Sequence, residues 1–258
     1  MVTSTLAYTW FKPRQPNPQA KLRLFCFPYA GGTSSIFNSW PSQLPAWVEV
    51  CPIHLPGRAP RFREHPFTQL TPLVEGVAQA IPPWLDRPFA FFGHSMGALI
   101  GFELIRALRK AQQPMPFCFF ASGRSAPQRP PKILSTHRLP EPEFVQLLRR
   151  LNGTPREVLE HTELMRLMIP VIRADFEICE TYSYSPQPPL DCAITTFGGV
   201  GDKDVPPRLL AGWRDQTTSL FSQYMFPGDH FFLQTAEKQV LDRLGRELSH
   251  FNEALISY

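Results

Sequence analysis

The feature that most constrains this chain is a pentapeptide, Gly93-His94-Ser95-Met96-Gly97, set between an aromatic run and a helical pattern in "PFAFFGHSMGALIGFELIRALRK". A serine flanked at two residues' distance by glycine on both sides is the pattern of a sharp strand-to-helix turn. The glycines give space, because a serine held in a strained backbone brings its neighbours against other main chain. A small-residue turn without chemistry would carry the same pentapeptide, but it would not need a buried-strand run before it and an amphipathic helix after it.

The rest of the chain alternates in the same way. "KLRLFCFPYAGG" and "WVEVCPIHLPGR" are apolar runs closed by Pro and Gly, "TQLTPLVEGVAQAIPPWL" has helical spacing stopped by Pro82 and Pro83, and "MPFCFFASGR" is a further strand. Strand, helix and strand in alternation predict parallel βαβ units and a doubly wound, mostly parallel α/β sheet. From about Arg124 to Leu190 the strand pattern lapses into a Pro-rich stretch and amphipathic helices, such as "PEFVQLLRRL" and "TPREVLEHTELMRLMIPVIRADFEICETYSY". Strand character returns at "CAITTFGGVGDKDVPP" and "LFSQYMFPGDHFFL". The expectation is one α/β domain over residues 1–258 with a helical insertion at 124–190.

With 258 residues and 43% hydrophobic content, the chain can bury a large core. No apolar run reaches the ~18 residues needed to span a bilayer, and no secretion signal is read at the start. Five cysteines, an odd number without a CxxC pair, suit reduced core thiols in the cytoplasm. A net charge of +4 without a Lys/Arg run does not argue for nucleic acid.

A serine hydroxyl needs a base, and the base needs an orienting carboxylate. In this kind of sheet the chain order is Ser, Asp, His. His230, in the Gly-containing turn "MFPGDHFF" after a strand-like run, fits the base; His250 falls in a terminal helix pattern. His94 is expected to point away from the serine, and His54, His65, His137 and His161 precede the expected acid. "FGGVGDKDV" offers Asp202 and Asp204, which position alone does not separate, while Asp229 reads as a turn former. Oxyanion donors are expected at the backbone N–H of Met96 and, from "FPYAGGT", of Ala30.

Taken together, "LFCFPYAGGTSSIF", "HLPGRAPRF", "FFGHSMGALIGFEL", "LPEPEFVQLLRRLNGTPREVL", "ELMRLMIPVIRADFEICETY" and "FPGDHFFL" resemble the type II thioesterases, stand-alone α/β hydrolases that accompany polyketide synthases and nonribosomal peptide synthetases. The resemblance spans nearly the whole chain. It implies Ser95 as nucleophile, His230 as base, and Asp202 as acid through a Gly-Gly-x-x-Asp pattern at Gly198 and Gly199 with Trp213 following. Ala30 and Met96 match the oxyanion donors, and residues 124–190 the family's lid. It further implies action on acyl groups carried by the phosphopantetheine arm of an acyl or peptidyl carrier protein, with no metal or cofactor required. The composition points to no nucleic-acid or membrane partner, and a monomer is the default expectation. Arg58, Arg61, Arg63 and Arg129 are candidates to face an acidic carrier. Rival expectations are a small-molecule esterase or lipase, a fatty-acyl chain terminator, and a non-catalytic carrier-binding protein.

Overall fold

A computed structural model describes residues 9–11, 16–129, 135–154 and 156–256. Six strands, β1 (Leu22–Phe27), β2 (Val48–Pro52), β3 (Phe89–His94), β4 (Cys118–Ser122), β5 (Ala193–Gly199) and β6 (Phe221–Phe226), form one sheet in the order β2-β1-β3-β4-β5-β6. Every pairing is parallel. Parallel strands need crossovers that cover both faces, so their residues are buried on both sides. All positions of β1 to β5 are buried accordingly.

Because side chains alternate along a strand, the two faces make two cores. Phe25 and Phe27 of β1, Phe91 of β3 and Phe119 of β4 pack with α1 (Leu70–Ala80) and α2 (Met96–Lys110). Their neighbours Leu24, Cys26, Phe92 and Phe120 pack on the other face against Val240, Leu241, Leu244 and Leu248 of the C-terminal helix. The edge-on contacts Phe25–Phe91 and Phe27–Phe91, with ring centroids 5.6 and 5.2 Å apart, suit the aromatic quadrupole.

The expected helices form, with one break. Between β4 and β5 lie α3 (Glu141–Leu151), α4 (Arg156–Glu160) and α5 (Thr162–Thr181). The stretch at 154–184 is therefore broken at His161, whose side chain accepts the N–H of Leu164 and starts α5 anew. These helices have a small apolar core of their own, around Phe144, Leu148, Met165 and Ile169. Farther on, only α6 (Pro207–Leu210) is α-helical before a 3₁₀ segment at Ala211–Gln216, and the chain closes with α7 (Phe232–Thr235) and α8 (Glu237–Ile256). Among the described residues no helix is long and apolar enough to cross a membrane.

The chain starts at β1, moves outward to β2 and returns past β1 to β3. The order thus reverses between β1 and β3. At such a switch point the loops beyond the strands' carboxyl ends diverge and leave a crevice.

Candidate active site

Four strand ends supply the site. Residues 28–33 follow β1, Ser95 follows β3, Asp202 lies in the loop after β5, and His230 lies in the loop after β6.

Ser95 has φ 54° and ψ −111°, a left-handed conformation that is costly for a residue with a Cβ. The packing around it shows why its flanking residues are glycine. A Cβ on Gly93 would fall inside the main chain of Gly97, and one on Gly97 would strike the carbonyl of Phe27 at the end of β1. The turn is held by the Ser95 N–H, which donates to the Ser122 carbonyl at 2.8 Å. Met96 is the first residue of α2, where an N–H has no intrahelical acceptor and the helix dipole favours negative charge.

Asp202 and His230 are in contact: Nδ1 of His230 lies 2.6 Å from Oδ2 of Asp202. The carboxylate is buried, and its second oxygen accepts the N–H groups of Asp204 (2.9 Å) and Val205 (3.0 Å). Burial works to raise its pKa, but the hydrogen bond and charge of His230 and the two amides outweigh that and hold it below 3.8. Asp204 is exposed and meets Asp202 through its backbone. Asp229 turns its Oδ1 to the N–H of Phe231, 2.8 Å away, as a turn former does.

His94 is fully buried, and both of its ring nitrogens are engaged by groups other than the serine. Its Nε2 is 2.9 Å from the carbonyl oxygen of His230 and its Nδ1 is 2.9 Å from Oγ of Ser122. A carbonyl only accepts, so Nε2 carries the proton and Nδ1 accepts from Ser122. Burial, then the nearby charge of His230, push its pKa well below 6.5, so the ring is neutral. This link across the sheet was not legible in the sequence, because its acceptor is main chain.

In the loop after β1, Gly32 N–H donates to the Tyr29 carbonyl at 2.8 Å. Tyr29 packs edge-on against His94 and Phe231, and its hydroxyl accepts from Gln234 at 2.9 Å, which ties this loop to the His230 loop. Gly31 N–H donates to Asp175 of α5 at 2.7 Å. Asp175 is paired with Arg58 through two bonds of 2.6 and 2.8 Å. Two of the four arginines expected to face an acidic partner are therefore committed internally. Arg58 is buried in that pair, and Arg61 stacks 4.0 Å from the Trp10 ring centroid while bonding Glu64. Arg63 and Arg129 remain exposed.

The Thioesterase domain model matches residues 22–248, the whole span from β1 into α8. The chain belongs to the thioesterase family. The thioesterase is 47% identical over 239 residues to the gramicidin S biosynthesis protein GrsT of Aneurinibacillus migulanus, covering 93% of each chain. Among solved structures it superimposes on RedJ, a thioesterase from the prodiginine biosynthetic pathway of Streptomyces coelicolor, with a TM-score of 0.85 and 38% identity. That match covers 92% of this thioesterase and 90% of RedJ. It also superimposes on BorB, the type II thioesterase of the borrelidin biosynthetic cluster, with a TM-score of 0.85 and 32% identity over 93% of this chain and 98% of BorB. The sheet is thus the α/β-hydrolase sheet of the type II thioesterases.

Proposed function

We propose that this thioesterase removes acyl groups from the phosphopantetheine arm of carrier proteins in nonribosomal peptide or polyketide assembly, clearing stalled or misloaded chains. The observation that carries the reading is the 2.6 Å contact of buried Asp202 with His230, at the same end of the sheet as a strained serine. The assembly-line setting rests on relatives such as GrsT and BorB.

Ser95 Oγ attacks the thioester carbonyl while His230 takes its proton at Nε2. Asp202 accepts the Nδ1–H, which keeps the imidazole in the required tautomer and stabilises the imidazolium. The tetrahedral oxyanion is received by the N–H groups of Ala30 and Met96; a single such donor contributes on the order of 10²–10³-fold in rate. Collapse expels the thiol, protonated by His230, and leaves an acyl-serine. A water deprotonated by the same histidine then hydrolyses that ester. The helices between β4 and β5 form the lid over the acyl group.

Intact-mass spectrometry of an acylated holo carrier protein tests the reading. The wild type should remove the acyl group and Ser95→Ala should not. Acyl loss with Ser95→Ala would overturn the serine mechanism. Cleavage of simple esters with the carrier-bound group spared would make the protein an esterase, and a strict preference for one fatty-acyl length would make it a chain terminator.

A further inference from the structure

The loop after β1 is held by side chains from two other parts of the chain. The peptide between Tyr29 and Ala30 is trans, so its N–H points opposite its C=O. That carbonyl turns into the loop to accept from Gly32, so the Ala30 N–H faces outward, and among the described residues it meets no acceptor. The next peptide presents the Gly31 N–H to Asp175 Oδ2 at 2.7 Å, and the Gly32 carbonyl accepts from Arg58 Nη1 at 3.2 Å. The planes on both sides of Ala30 are therefore fixed, one by the loop itself and one by Asp175. Three residues before Asp175, and so on the same face of α5, Ile172 lies against Gly31, where a Cβ would come within 3.1 Å of its Cγ1.

Net stability is a weak explanation for this arrangement. The side chains of Arg58 and Asp175 are only 7% and 2% exposed. Replacing a buried ion pair with apolar groups of similar volume is often neutral or stabilising. Apolar groups could not, however, accept the Gly31 N–H or donate to the Gly32 carbonyl.

We propose that Asp175 and Arg58 are positioning residues of the oxyanion hole, setting the peptide planes around Ala30 and so linking the seating of helix α5 to the rate of acyl transfer. The proposal rests on the reading above in which the Ala30 N–H receives the oxyanion. Both side chains are buried and spend their hydrogen bonds on protein groups, so their loss should act on the transition state rather than on ground-state binding.

The test compares the wild type, the double variant Arg58→Met with Asp175→Leu, and the milder Arg58→Lys. A lysine keeps the charge but cannot hold both Asp175 oxygens and Gly32 together. Each is assayed for kcat and KM on an acyl-N-acetylcysteamine thioester. Each is also titrated with a trifluoromethyl ketone, whose carbonyl carbon bonds to Ser95 Oγ while its oxygen becomes an oxyanion and the proton passes to His230. Melting temperature reports the fold.

In the double variant kcat and ketone affinity should fall together by about 10–100-fold, with KM changed by less than about twofold. Arg58→Lys should lose several-fold in both. A folded double variant with wild-type kcat and ketone affinity would overturn the proposal; should that variant not fold, unchanged values in Arg58→Lys would do so. Ser95→Ala separates the two levels. If it still turns over, the serine reading itself fails. If it is inactive while the pair variants behave as wild type, only the role of Asp175 and Arg58 fails.

Discussion

Nε2 of His94 lies 2.9 Å from the carbonyl oxygen of His230, so the residue that precedes the elbow serine carries the loop that presents the proposed base. The two are 136 positions apart in the chain, and Ser122 on β4 completes the link from the other side of the ring. His94→Ala would leave the buried Ser122 hydroxyl without this partner, at about 1–3 kcal/mol, and would release the part-buried His230 carbonyl, beyond the cavity it opens. His94→Gln can still offer an N–H near the former Nε2 position. Thioester turnover should fall at least about tenfold in the alanine variant and be largely recovered in the glutamine variant; equal rates in the two would sink the positioning role.

The same residue gives the protein an acid-sensitive component. Native His94 stays neutral because burial holds its pKa well below 6.5, whereas in the unfolded chain it takes up a proton as pH falls through about 6.5. The unfolded state then binds more protons, so stability declines with falling pH below that value. Asp202, held below 3.8, adds a second loss at lower pH as it is protonated. Urea melts at pH 7.5 and 5.5 should show a smaller difference for His94→Gln than for the wild type.

Asp202→Ala should lower kcat by about 10⁴-fold, the scale on which a triad carboxylate acts. Asp204→Ala removes an exposed side chain and should stay within about twofold of the wild type. Steady-state kinetics of the two variants side by side makes the comparison, and similar losses in both would count against Asp202 as the orienting acid.

Away from the site, Arg23 and Glu49 face each other in register on β1 and β2, with a 2.7 Å ion pair and both side chains buried. Breaking a buried pair by removing one partner costs about 3–5 kcal/mol. Arg23 keeps a second partner in Asp86, so Glu49→Ala should fall near about 3 kcal/mol in denaturant melts. Added salt should not reproduce this loss in the wild type, because a buried pair is poorly screened.

The five cysteines are all free, and burial raises the pKa of each; Cys192 is pushed up to about 12. Thiolate is the reactive form. The native protein should therefore resist a disulfide exchange reagent at pH 8, while the urea-unfolded chain should titrate all five thiols. Rapid labelling of Cys26, Cys51, Cys118 or Cys192 in the native state would contradict this burial; Cys179 is half-buried.

What could be read from the sequence follows the range of the interactions. The strands announced themselves as apolar aromatic runs, and the elbow by its glycines, because both are set by residues adjacent in the chain. The break at His161 was not visible, since a histidine side chain serving as a helix cap leaves no periodic trace. Nor was the choice between Asp202 and Asp204 open to position alone, because burial and contact with His230 depend on how the loops after β5 and β6 come together. Arg58 read as a surface charge because its partner, Asp175, is 117 residues away. Asp175 itself sits inside the quoted "ELMRLMIPVIRADFEICETY" without any local sign of that pairing.

The tie between Asp175 and Gly31 bears on how such proteins can be recombined. Residues 124–190 enter and leave the sheet at two points, which invites the exchange of this proposed lid between relatives as a cassette. The helix in that cassette, however, carries one half of an ion pair whose other half, Arg58, stays behind in the recipient. A chimaera that transfers the cassette alone mixes the two halves from different parents. Crossovers that move residues 28–58 and 124–190 as one inherited block keep the proposed lid and the proposed oxyanion loop matched.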